Sequence, residues 1–273
     1  MTAPVILPRL MSVAVGPPGA AGLLFTAEDM EAEVKGFKGS KPNECSVTIY
    51  NLSKATISQL EAPGQVLQLQ AGEGFVGQLF YGSIAKRGVV TTNEQPTRKT
   101  KITARDGRRV YRDTRVARSY PPNTPVAQVI QDLLVLATAQ GVTLGTGSVF
   151  PAGSFPAGWA HNGLWRQAMT EILSPRGYYW TIEGHVIYVL LESGYAPGNI
   201  PRVSPLTGLN GSPTRTDKGC DISAKLDPAI RSGHALLLES AFFTGLYRVA
   251  LHTHKLSRNG LIWETTAKCE VIK

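Results

Sequence analysis

Apolar and polar residues alternate in short runs between Asn43 and Asp106. Val47 and Ile49 alternate with Ser46, Thr48 and Tyr50, and Leu67 and Leu69 alternate with Gln68 and Gln70. A period of two places one set on each face of a strand, so the pattern predicts strands over 43–53, 66–72, 77–82 and 99–106. Gly-, Pro- and Asn-containing breaks at 62–64, 71–74, 93–96 and 106–107 separate them, which predicts a meander with one wet face, curling into a barrel or sandwich. Ser53, followed by Ile57 and Leu60 three apart, predicts a short helix capped by the serine. Ahead of the meander, Arg9–Val15 and Phe25–Phe37 are weaker strand candidates. Pro17, Pro18 and Gly19 turn between them, and such a hairpin would supply edge strands.

The period changes after residue 119. Val126, Val129, Ile130, Leu133 and Ala137 fall on one helical face, with Thr124 and Pro125 placed as cap and first residue and Gly141 beyond the end. A second helix is predicted over 162–173, with Leu164, Ala168, Met169 and Ile172 inward. A hairpin follows, 178–182 and 186–191 around a turn at 183–185. Residues 193–213 hold four prolines and read as a linker. Strands return over 219–226, 235–239, 245–255 and 261–272, with a hairpin loop at 257–260. The predicted fold class is therefore mainly β, with a small α+β unit between two strand-rich units: 1–118, 119–192, the linker 193–213, and 214–273.

At 273 residues the chain is long enough for two or three cores. Cys45, Cys220 and Cys269 show no C-x-x-C spacing and are odd in number, so neither a zinc site nor a disulfide framework is indicated, and a reducing compartment is expected. No basic head with an apolar core opens the chain, so no signal peptide is expected. No apolar run reaches the ~20 residues that cross a bilayer.

The formal charge is +8, and much of it lies in one stretch containing Arg105, Arg108, Arg109, Arg112, Arg115 and Arg118. Only Tyr111 and Tyr120 accompany these arginines as possible base-stacking residues. They are read first as a solvated or subunit-facing basic surface and second as a nucleic-acid site. No recognised catalytic spacing is present: G-x-S-x-G, H-E-x-x-H and the P-loop are all missing. His252 and His254 share a strand face without an evident third metal ligand, and are read as paired surface or lumen-facing imidazoles. Glu171 and Glu183 lie near aromatic residues, as paired carboxylates for sugar cleavage would, but read better as helix-surface and turn residues. Trp159, Trp165, Trp180 and Trp263 are read as core or interface residues.

The residues at 42–43, 47–53, 66–72, 79–82 and 104–107 resemble, in their order, the N-terminal unit of phage baseplate hub proteins, the tail hubs of contractile-tailed phages. The last unit is similar to that family at 206–208, 217–219, 226–228, Gly233, 247–249, 252–254 and Trp263. The resemblance spans most of the chain and rests on many weak motifs in sequence. It implies a structural role with no enzymatic activity and no cofactor. Each chain would carry two tail-tube-like β-barrels, and a homotrimer would form a ring of six barrels that joins a six-fold tail tube to a three-fold central spike. The implied partners are the tail tube or a distal tail protein above, the spike below, and baseplate wedge components beside the insert. Genomic DNA would pass through the channel without sequence-specific binding. The implied location is the virion, after synthesis in the host cytoplasm. The alternatives are a tail-associated peptidoglycan hydrolase and a nucleic-acid-binding module using the arginine-rich segment.

Overall fold

The computed structural model describes residues 8–39, 41–94 and 96–272. The start of the segment in which a leader was not expected, and residue 95 in the turn expected at 93–96, lie outside them.

The first β unit contains β1 (Arg9–Gly16), β2 (Leu23–Phe25), β3 (Met30–Phe37), β4 (Glu44–Tyr50), helix α1 (Lys54–Leu60), β5 (Val66–Glu73), β6 (Gly77–Glu94) and β7 (Thr97–Arg105). Burial alternates strictly along β3 and β4, as the period of two requires. Asn51 turns the chain out of β4 with φ +57°, a conformation that asparagine tolerates. Ser53 Oγ then accepts the Thr56 amide at 3.1 Å and caps α1 as predicted.

Helix α2 (Arg108–Arg112) leads into the middle unit. There β8 (Arg115–Tyr120), β9 (Thr124–Pro125), α3 (Val126–Thr138), β10 (Thr143–Leu144), β11 (Ser154–Phe155), β12 (Trp159–Leu164), α4 (Trp165–Leu173), β13 (Tyr178–Glu183) and β14 (Val186–Leu191) follow one another. The predicted inward face of α3 is buried at all five positions. Its start differs from expectation. Thr124 and Pro125 pair with Phe155 and Ser154, and the Thr124 hydroxyl donates to Pro121 O rather than capping the helix. Helix α4 begins at Trp165, not residue 162, because residues 159–164 are spent on pairing with β8. The β13–β14 hairpin turns on Gly184 and His185, both at positive φ, the geometry of a type I′ turn.

The last unit holds β15 (Arg202–Val203), β16 (Thr214–Thr216), β17 (Gly219–Lys225), β18 (Ala235–Glu239), β19 (Thr244–Ser257) and β20 (Trp263–Val271). The segment read as a linker contributes Val203 and Leu209 to this unit's core. Likewise Val110, Tyr111 and Val116, which the sequence groups with the first unit, pack in the core of the middle one.

Among the described residues there are three large cores and a small cluster of Tyr179, Leu190 and Ala196, yet both β units belong to one 13-stranded sheet, ordered β16-β17-β20-β19-β3-β4-β7-β6-β5-β1-β2, with β18 and β15 branching from β19. The seam is β3 against β19, Phe37 to Glu31 opposite Leu251 to Ser257. Strand β3 is therefore central, not the edge strand expected; β1 and β2 alone lie at that edge. Alternation cannot distinguish the two positions, because a central antiparallel strand with one wet face carries the same pattern. Strand β19 pairs with β18 over Thr244–Arg248 and with β3 from Leu251 onward. A bulge between Val249 and Leu251 marks the crossing, where Ala250 O accepts the Lys38 amide at 2.9 Å. Leu226, Leu256 and Trp263, from the last unit, complete the core of the first. Arg248 joins the last unit to the middle one: its guanidinium is 5% exposed, donates to Glu192 O, Gly194 O and Glu270 Oε2, and lies 5.0 Å over the Tyr179 ring.

Candidate assembly surface

The seam makes one face of the sheet continuous across both β units. In register across six strands, Lys225, Glu264, Lys255, Glu33, Ser46 and Thr103 lie side by side. The next row of the same face is Ser223, Thr266, Thr253, Lys35, Glu44 and Arg105. None of these twelve side chains is buried. Opposite charges stand next to each other along the first row, which favours the pairing and leaves the face hydrophilic with mixed sign. Such a face presents no apolar patch for another protein to cover.

The opposite face of the same strands is dry, and it holds the two histidines. His252 and His254 are each 1% exposed, which corrects the reading of them as surface or lumen-facing imidazoles. The Ser232 amide donates to His252 Nδ1 at 3.0 Å, so that nitrogen is an acceptor and the ring is neutral with its proton on Nε2. His254 Nδ1 pairs with Thr265 Oγ1 at 2.8 Å. Burial holds both imidazoles well below the usual range, His254 at about 3. Alternation would have placed them inward had Leu256 alone set the phase; Val249 is of the opposite parity, because the bulge between Val249 and Leu251 resets it, and the histidines' polarity suggested the other face.

A polar knot joins all three units beside them. Asn43 Nδ2 donates to Ile182 O at 3.2 Å and to Glu183 Oε2 at 2.7 Å. The His185 amide donates to Asp106 Oδ1 at 3.1 Å, and His185 Nδ1 is 2.7 Å from the same oxygen. From the last unit, Arg231 reaches in and donates to Gln78 O at 2.9 Å. Burial, with Asp106 nearby, pushes the Glu183 carboxyl up to about 8. That is a value suited to a general acid, but the space around it is about 10 Å³, room for no more than one water. Glu171 is not its partner: its carboxylate receives Trp159 Nε1 at 3.1 Å and lies 3.1 Å from His161 Nδ1. Trp165 and Trp180 are core residues in edge contact at 5.1 Å, Trp263 is also buried, and Trp159 stacks on His161.

Among the described residues, no group of three or more His, Cys, Asp or Glu could hold a metal ion. The cysteines are free and buried, and Cys220 faces Cys269 across the β17–β20 pair, a proximity that their 49-residue separation concealed.

The arginine-rich segment divides. Arg105, Arg108 and Arg112 line a groove between the first and middle units, together with Lys41 and Arg166, which the sequence did not single out. Arg109, Arg115 and Arg118 are exposed elsewhere on the surface. Tyr111 is buried, its hydroxyl donating to Gly39 O, and the Tyr120 hydroxyl is held by Asp132, so neither is a free stacking platform.

No family model matches the chain, and no curated protein matches it by sequence. Solved structures do match in fold. A tail protein from Neisseria meningitidis is similar with a TM-score of 0.66 at 12% identity, over 97% of each chain. The 43 kDa tail protein of prophage MuSo2 from Shewanella oneidensis gives 0.66 at 8% identity, over 94% of this chain and 96% of that one. An Escherichia coli component of the type VI secretion system, itself described as structurally similar to the T4 bacteriophage tail proteins gp27 and gp5, gives 0.60 at 12% identity, over 95% of this chain and 77% of that one. Across nearly its whole length, then, the chain has a mainly β fold of the kind found in phage tail proteins.

Proposed function

We propose that this chain is a structural subunit of a phage tail, a homotrimeric baseplate hub whose two β units imitate two tube subunits. The observation that carries this reading is the seam between β3 and β19, which joins the two β units into one polar sheet face six strands wide. A hydrophilic, mixed-charge wall suits a channel through which DNA passes without being held, because fixed cations alone would retain phosphates. The outer strands β2 and β16 each leave a pairing edge, and in a closed ring of heterologous contacts such edges are covered by neighbouring subunits. In this arrangement the tail tube or a distal tail protein sits above, the spike below, and the insert faces the wedge components. In this reading the protein acts without catalysis: among the described residues the one carboxyl raised toward neutral pH, Glu183, has no room beside it for a sugar.

Cryo-electron microscopy of the purified chain, alone and co-expressed with the spike protein of its own phage, tests this. The expected image is a three-fold ring whose channel wall carries Lys255, Glu33 and Thr103. A monomer under both conditions, or a ring with this face turned outward, overturns the reading.

A further inference from the structure

Five cations surround the groove between the first and middle units: Lys41, Arg105, Arg108, Arg112 and Arg166, around a space of about 380 Å³. The one carboxylate lining it, Glu44, lies 3.3 Å from Arg105 and is neutralised there. Arg108 also lines a hollow of about 550 Å³ beyond, where Lys86 and Arg87 join it against the single carboxylate of Glu61, so Arg108 links the two into one trough of net positive lining. Among the described residues, no carboxylate lies within 4.0 Å of Lys41, Lys86, Arg87, Arg108 or Arg166. Some cations elsewhere are paired, as with Lys38 and Arg248 on Glu192 and Glu270, Lys99 on Glu94, and Arg202 on Glu239, while others such as Arg109, Arg115 and Arg118 stand singly on the exposed surface. What sets the trough apart is that unpaired cations converge there on a concave space, where low-dielectric walls strengthen their field. The floor is partly apolar: Phe37, Pro42 and Leu164 line it, and Lys41 Nζ sits 5.9 Å from the Phe37 ring centre.

We propose that this trough docks an extended, acidic segment of another protein of the assembly. Clustered arginines over an apolar strip recognise acidic peptide motifs, carboxylates meeting the guanidinium rim while alternate side chains rest on the floor. Single-stranded nucleic acid fits less well, because Tyr111 is buried and Phe37 is half-buried, leaving no open aromatic face for bases. The occupant comes from a different protein and not from this chain's own first seven residues, which contain no Asp or Glu. The inference rests on reading the chain as an assembly subunit, but its measurement requires no ring.

Fluorescence anisotropy of a labelled oligoglutamate peptide against the full chain at low salt tests it, with a labelled single-stranded oligonucleotide as the second probe. The peptide is expected to bind, to weaken with salt, and to lose about tenfold in affinity in the double variant Arg108→Glu, Arg166→Glu. Arg118→Glu, outside the trough, should leave affinity within about twofold. Should the charge reversal prevent folding, as judged by circular dichroism, Arg108→Gln with Arg166→Gln takes its place. No peptide binding, equal loss in Arg118→Glu, or tighter binding of the oligonucleotide through the same arginines each overturns the proposal. Light scattering on the same samples keeps the readings apart: a trimer that ignores the peptide removes only the trough, and a monomer that binds it removes only the ring.

Discussion

Gly36 faces His252 across the β3–β19 seam, and the imidazole fills the space a side chain at Gly36 would need. A Cβ built on Gly36 would come within 2.0 Å of His252 Cε1. The seam that unites the two β units therefore depends on a missing methyl group. Gly36→Ala should destabilise the chain by about 1–3 kcal/mol, the usual range for overpacking. Adding His252→Ala should restore part of it, with a coupling of about 0.5–3 kcal/mol between the sites in a double-mutant cycle of urea midpoints. Additive losses would mean that the ring and the glycine do not compete for space.

Trp263 lies on β20 but packs in the core of the first unit, under the Arg9 guanidinium at 5.6 Å. Trp263→Ala should cost about 3–5 kcal/mol. Because the side chain is shared between the units, both should be weakened together, so unfolding followed by fluorescence and by circular dichroism should shift as one transition.

The polar knot makes stability depend on pH in a stated direction. Glu183, held protonated by burial beside Asp106, stabilises fully below its ordinary value near 4.5, and this contribution is lost as pH rises through about 8. His252 and His254 act on the other side. Their neutral forms are favoured by burial, so their contribution is complete above 6.5 and is lost as pH falls, for His254 through about 3. Glu183→Gln should flatten the alkaline decline in urea midpoint between pH 5 and pH 9. An unchanged slope would show that another group titrates.

Arg248 is a buried cation shared by the middle and last units, and its removal leaves Glu270 without its closest partner at 2.8 Å. Burial raises the Glu270 carboxyl, but Arg248 and Lys38 outweigh that and leave it below the usual range. Arg248→Ala should cost about 3–5 kcal/mol. Hydrogen exchange should rise around residues 192–196, where the guanidinium holds the Glu192 and Gly194 carbonyls; exchange confined to β19 would contradict the clamp.

The three thiols should be silent to a thiol reagent in the native protein and all react in denaturant. Burial pushes the Cys45 thiol far up, and Cys269 is raised chiefly by its hydrogen bond with Cys220. Rapid native labelling at Cys220 would mean that the β17–β20 edge opens.

What the sequence by itself determined was local. The alternation in β4 and β5, the Ser53 cap, the inward stripe of α3 and the turn around Gly184 and His185 are each settled within a few residues, where sterics and solvent exposure act on the same side chains that carry the signal. The start of α4 was lost because β12 exists only through its pairing with β8, some forty residues earlier. Only the tertiary structure decided that β3 lies at the centre of the sheet, that His252 and His254 are dry, that Arg166 and Lys41 join three of the six arginines, and that Asp106, Glu183 and Arg231 meet. These relationships involve strands and loops brought together from opposite ends of the chain. A period of two says which residues share a face, but which neighbour arrives, and whether that face meets water or another unit, is fixed by long-range pairing.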